Sequence, residues 1–375
     1  MKASFSRPLR ALNVPLLVAS LLPTASAQGR VLVVDLEDGP GTDFTSLYDA
    51  VNNAADGDTL LIREGVYNNF FLQLFDRSLS LVAEEGAHVG VPEIIVQGLG
   101  PDQTVVIRGL TSSESGPFLP ALDIRDNQGT VWIENVDTTP GNGFGGGIEI
   151  RDSDNVVLVD VHSGWPTANP PSLDTLLIDN SVVSVFDSEI GGIPRSAGIE
   201  VNASRLYVQG SQITGGRCGG QPQGFPGILA TDSEVFLMDT TVVGGSCNSG
   251  PDGMRIQSQG STGGLLDGDA TTLSFSGPET AGSTVEVAYE GRAGAVAFLL
   301  VSDESEPTPL LPFGTLLLST PFDVLALGAV PASGRIETQF DLPAALPLGD
   351  YFGQVLGQGP TTATLSAPSS LTILP

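Results

Sequence analysis

Seven consecutive stretches of this chain can be written under one another: EIIVQGLGPDQTVVIRGLTSS, ALDIRDNQGTVWIENVDTTPG, GIEIRDSDNVVLVDVHSG, TLLIDNSVVSVFDSEIGG, GIEVNASRLYVQGSQITGG, GILATDSEVFLMDTTVVGG and GMRIQSQG. Aligned on Val96, Ile124, Ile150, Ile178, Val201, Ala230 and Ile256, they recur at steps of 28, 26, 28, 23, 29 and 26 residues. Each contains a short strand, a polar turn, a second alternating strand and a Gly-rich loop. Units this short cannot bury their own apolar residues, so they must stack on one another. No helical period intervenes between residues 90 and 262, which argues against strands alternating with helices in a doubly wound sheet. Stacked coils of parallel strands remain.

That arrangement resembles the right-handed parallel β-helix proteins of the pectin-lyase-like class, over about residues 30–262. The stretch DGPGTDFTSLYDAVNNAADGDTLLIREGVYNN also resembles the opening of pectinesterase-like β-helix chains, where a capping helix leads to a G-x-Y-x-E turn. Here Asp43 is the expected N-cap, and Leu47, Val51 and Ala54 follow at helical spacing before Gly57. The turn runs Gly65, Val66, Tyr67, Asn68, Asn69, so its acid is missing. The resemblance implies a fold start rather than esterase chemistry. Beyond GSTGGLLDGDA the repeat ends, and runs such as STVEVAYEG, AVAFLLVSD and RIETQFDLP suggest short strands between Gly/Pro turns. This part is similar to C-terminal modules of exported bacterial β-rich proteins. The expected fold is all-β: a right-handed parallel β-helix over 28–262 with an N-terminal capping helix, followed by an antiparallel β-sandwich over 265–375.

Residues 1–27 have the layout of a secretory signal peptide, with a basic start, the apolar run ALNVPLLVASLLP and small residues at Ala25 and Ala27. No later segment approaches the length of a transmembrane helix. The expected location is the exterior or the cell surface of a bacterium. Without the leader, 12 arginines face 43 acids, a net charge of −31. Such a surface repels nucleic acid and anionic lipid. The partners expected are an extracellular polysaccharide or a cell-surface component. Cys218 and Cys247 lie one 29-residue step apart. In stacked coils their loops are neighbours at roughly 4.8 Å, within disulfide reach, so a staple between them is predicted.

Stacking the units also aligns charges. One column holds Asp123, Glu149, Leu177 and Glu200 and ends in Arg255; beside it run Arg125, Arg151, Asp179, Asn202 and Gln257. Both columns are expected to face outward. Carboxylates one coil apart suit a retaining glycosidase. Alternatively, they hold calcium while Arg125 or Arg151 acts in β-elimination, as the pectate-lyase branch of the resemblance implies. A third reading is a surface lattice of ion pairs, worth about 0–1 kcal/mol each. Further along, Glu134, Asp160, Asp187, Gln209 and Asp239 form a second column, either corner residues bonded to loop amides or, at Asp160 and Asp187, calcium ligands. Asp126, Asp152, Asn180 and Asp232 are expected turn formers.

Phe118, Phe144, Phe225 and Trp165 sit in loops, where they would stack on sugars or seal the core. The two histidines, His88 and His162, lack metal-ligand spacing, which leaves calcium as the one cofactor open. Polygalacturonase and pectinesterase catalytic motifs do not occur. Two functions therefore stand side by side. One is a non-catalytic protein that binds glycans or partners along its repetitive face. The other is a polysaccharide lyase or glycoside hydrolase using Asp123, Glu149 and Glu200 with Arg125 and Arg151.

Overall fold

The computed structural model describes residues 29–67, 71–113, 120–139, 147–163, 175–192, 194–248, 250–266, 268–310, 314–360 and 362–375. The proposed leader and Phe118, Phe144 and Trp165 lie outside them. No helix among the described residues is long and apolar enough to cross a membrane.

Residues 31–266 form a parallel β-solenoid of about eight turns. Each full coil has three sides. The first sheet stacks 72–75, 94–97, 122–125, 148–151, 176–179, 199–202, 228–231 and 256–259. The second runs from Val31–Val34 through 130–134 and 156–159 to Thr262–Leu266. The third runs from Gly65–Val66 to Thr241–Val243. Two strands, Leu122–Thr139 and Ile148–Ser163, continue through both corners and serve all three sheets. The anchors Val96, Ile124, Ile150, Ile178, Val201 and Ala230 point into one continuous apolar core. Alternation on each strand sends every second side chain there.

Two kinds of corner let the chain turn. Between the first and second sheets, Asp76, Gly98, Asp126, Asp152, Asn180, Ala203, Asp232 and Gly260 all adopt positive φ. Between the second and third, Gly109, Asn135, Asp160, Asp187, Gly210 and Asp239 do the same. Asn, Asp and Gly are the residues that tolerate this left-handed conformation, which explains the turn-former pattern. Inside the first corner runs a ladder of serines. Ser153, Ser181, Ser204 and Ser233 each donate a backbone N–H to the hydroxyl of the next coil's serine, at 2.9–3.1 Å, ending at Ser261. These bonds satisfy buried amides that no strand partner reaches.

Three expectations require correction. The last unit is displaced by two residues: Ser258, not Ile256, lies beside Ala230, so Gln257 and Gln259 replace Arg255 and Gln257 in the outward columns. The second column divides in two, because Glu134 and Gln209 are strand residues on the second sheet whereas Asp160, Asp187 and Asp239 are corner residues. The helix Leu47–Asn53 forms, with Leu47, Ala50 and Val51 buried in the solenoid core, but Ser46 is its N-cap. Asp43 instead accepts from the Val33 amide, on the free edge of the first strand.

Beyond the solenoid the strands are mainly antiparallel. Thr272–Phe275, Thr284–Glu290 and Arg335–Asp341 form one sheet. A second contains Ser369–Leu374, Gly349–Gln358, Val296–Ser302 and Asp323–Ala329. Leu273, Val287 and Tyr289 of the first share a core with Leu299, Val355 and Ile373 of the second. This C-terminal unit lies against the outer face of the solenoid's second sheet. Val106, Trp132, Val157, Phe186 and Tyr207 pack there with Leu300, Leu317, Phe352 and Leu365. The Trp132 and Phe352 rings meet at 4.6 Å. One outer face of the solenoid is thereby covered by the C-terminal unit; among the described residues, that unit does not cover the first sheet.

Candidate functional site

The outer face of the first sheet carries the predicted columns in register. Asp123 lies beside Glu149, then Leu177, Glu200, Leu229 and Gln257 follow coil by coil. The parallel column runs Gln97, Arg125, Arg151, Asp179, Asn202, Thr231 and Gln259. Successive members are one strand spacing apart, roughly 4.8 Å. Asp123 and Glu149 are thus brought together, while Leu177 separates Glu200 from them. Glu200 accepts from Asn202 of its own strand at 3.1 Å.

Each acid of the close pair has an arginine two residues on, on the same strand face. Arg125 reaches Asp123 at 3.2 Å, and Arg151 bonds Glu149. Arg125 also donates to Gln97 at 3.3 Å, which ties neighbouring coils together. These ion pairs fit the lattice expectation. The burial does not. Asp123 is only 6% exposed, and its Oδ1 has no hydrogen-bond partner among the described residues. Burial pushes the Asp123 carboxyl above the usual carboxylate range against the pull of Arg125 and Arg151. Glu149 is shifted the same way, again first by burial, with Arg151 opposing it and Asp123 adding to it. A carboxylate oxygen without a donor in a dry setting is costly, which is why burial raises this carboxyl.

The second column does not converge on one site. Glu134 lies under the C-terminal unit, where it accepts from Trp132 Nε1, Ser369 Oγ and the Ser370 amide, all at 2.9 Å, and from the Ser370 hydroxyl. Gln209 is likewise covered and donates to the Leu365 carbonyl at 3.2 Å. Asp160 and Asp187 sit at successive corners. Burial raises the Asp160 carboxyl, and a nearby His162 counters it. Burial, with Asp160 beside it, pushes Asp187 up to about 7. No three acidic, histidine or cysteine groups gather as metal ligands among the described residues. Asp160 and Asp187 by themselves would supply only part of the six to eight oxygens calcium takes.

Cys218 and Cys247 form the disulfide that the spacing predicts, with Cα atoms 5.1 Å apart. His162 stands 3.5 Å from Asp137 on an exposed stretch of the third side. Two features escaped sequence reasoning. The serine ladder was signalled by a Ser three residues after the anchors at 150, 178, 201 and 230. The covered face was signalled by apolar residues at outward positions of the second sheet, Val106, Trp132, Val157, Tyr207 and Phe236. No protein-family model matches the chain, and no curated protein matches it.

Proposed function

We propose that this chain is an exported right-handed β-helix protein, pectin-lyase-like in fold, that binds an extracellular polysaccharide or cell-surface glycan along the outer face of its first sheet without cleaving it. The observation that carries the reading is the uncovered polar ladder Gln97, Arg125, Arg151, Asp179, Asn202, Thr231 and Gln259. Its side chains recur at a fixed interval along one line, which suits an extended ligand with repeating hydroxyls. The C-terminal unit, in this reading a β-sandwich module, stiffens the opposite side and leaves the ladder free. The negative surface selects against nucleic acid and favours neutral glycans.

A second reading rests on a specific observation, the unpartnered Asp123 Oδ1 with its raised carboxyl beside Glu149. Displaced acids in one place are the signature of acid–base sites. On that reading the pair cleaves the glycan. Affinity electrophoresis on a panel of neutral and acidic polysaccharides separates the two, run together with assays for reducing ends and unsaturated products. Retardation that Arg151→Ala and Asn202→Ala weaken, with no product, is the expected result. Product lost in Asp123→Ala would establish the catalytic reading, and no retardation on any polysaccharide would sink the binding proposal.

A further inference from the structure

The seam between the solenoid and the C-terminal unit holds an acid from each side, Glu134 from the solenoid and Asp350 from the C-terminal unit. The strand Ser369–Leu374 receives both: Ser369 and Ser370 bond Glu134, and Thr372 donates to Asp350 Oδ1 at 2.6 Å. From the solenoid, Ser80 bonds the other oxygen of Asp350. Ser370 and Thr372 lie two residues apart on one strand face, so the hydroxyls that hold the two carboxyls are roughly 7 Å apart along the strand. One cation serves the pair. Arg108 is the register neighbour of Glu134 and donates to the Ser370 carbonyl at 2.9 Å. The strands Leu79–Ala83 and Ser369–Leu374, which face Asp350 from either side, contain no ionisable side chain. With both acids ionised, the cluster therefore carries one excess negative charge beside the apolar contacts of Trp132 and Phe352.

The two acids are not equivalent toward a proton. Glu134 Oε2 takes the Trp132 indole and the Ser370 amide, N–H groups that only donate and need a lone pair. Asp350 has a hydroxyl on each oxygen, and a hydroxyl accepts as well as donates. A protonated Asp350 thus keeps both hydrogen bonds, one of them reversed, and takes up a proton without losing a partner. Burial raises the Asp350 carboxyl above its ordinary value, outweighing Ser80, Thr372 and Arg108, which oppose it, and Glu134 adds to the rise.

We propose that Glu134, Arg108 and Asp350 form a proton-operated clasp: Asp350 takes up a proton as the two units close, and the seam holds more tightly in acid than at higher pH. The sign follows from linkage. A carboxyl raised on closing contributes its stabilisation fully below its free value, near 3.8, and loses it as pH rises through the closed value. Above that point ionised Asp350 and Glu134 repel across the seam, with Arg108 alone to offset two charges. The contacts of Trp132 with Phe352 do not titrate, so the seam loosens at the clasp while the units stay joined.

Trp132 bonds Glu134 inside the seam, and the chain's other tryptophan is Trp165, so acrylamide quenching in a Trp165→Phe background reads the clasp. Quenching is expected to rise about twofold between about pH 4 and about pH 8. Asp350→Asn keeps a hydrogen-bonding side chain without the charge and is expected to hold quenching at its low, acid level throughout. Arg108→Gln removes the cation that favours ionised Asp350 and is expected to move the rise to higher pH. Asp187→Asn, at a corner outside the clasp, is expected to leave the rise in place. Circular dichroism checks that each variant is folded. A flat profile in the Trp165→Phe parent overturns the proposal. So does a rise that survives in Asp350→Asn, one that Arg108→Gln fails to move upward, or one that Asp187→Asn abolishes.

Discussion

Asp123 and Glu134 leave the same strand, Leu122–Thr139, on two outer sides of one coil, and both are buried, at 6% and 7% exposure. Their surroundings differ completely. Glu134 has donors on both oxygens, three of them supplied by Ser369 and Ser370 of the C-terminal unit. Among the described residues, Asp123 has one arginine on one oxygen and no donor on the other. The comparison separates two uses of a repetitive scaffold. On the second sheet the buried acid is part of a completed joint, and its charge is consumed by packing. On the first sheet a similarly buried acid lacks a donor on one oxygen, and burial raises its carboxyl.

The largest effect is expected in the joint. Trp132 is wholly buried against Phe352, so Trp132→Ala should cost about 3–5 kcal/mol in urea unfolding. A loss below about 1 kcal/mol would mean the two units do not stabilise one another. Next comes a pH effect at the corner where the chain crosses toward the C-terminal unit. There the Ala270 amide donates to Asp239, and Gly210 packs tightly on Asp187. Asp187 binds its proton more tightly folded, up to about 7, than unfolded, near 3.8. Its stabilising contribution is therefore present below about pH 4 and is lost as pH rises to about 7, on the order of 2–4 kcal/mol. Asp187→Asn should remove that slope from the melting temperature; a slope unchanged in the variant would assign it elsewhere.

Glu134→Gln sets an amide NH2 among donors and should cost about 1–3 kcal/mol. Asp123→Asn should do the opposite on the other face. Because ionised Asp123 is penalised by burial, the neutral variant is expected to melt slightly higher, by on the order of 0.5 kcal/mol, while glycan binding weakens. If both amides destabilise equally, the distinction between a completed and an open face fails.

The solenoid was legible because its inward anchors must recur in any stack of short units, and the cysteine pairing followed from the same step. The last coil was misplaced because Ile256 is the apolar residue that anchor matching selects. The true inward residue is Ser258, on an open coil where no core demands an apolar side chain. The serine rule would have restored it, since Ser261 stands three residues after Ser258. Within the candidate site, the order of Asp123, Glu149, Leu177 and Glu200 was readable from register. Its burial was not, because burial depends on what covers a strand rather than on the strand's own alternation. The covering of Glu134 was hidden for the same reason, as Ser369 lies 235 residues away.

The joint between the units also acts as a ruler on repeat number. Ser80 meets Asp350 at one point, and Gln209 meets Leu365 at another, five coils later in the same direction. A duplication or deletion of one repeat between these contacts would put them out of step with a C-terminal unit of fixed size. Coils beyond 228 are held to the same unit as well, through Phe236 and Leu266 against its apolar side and through the Ala270 amide on Asp239. Growth or shortening of the solenoid by unequal recombination is thus resisted along the whole length that the C-terminal unit covers.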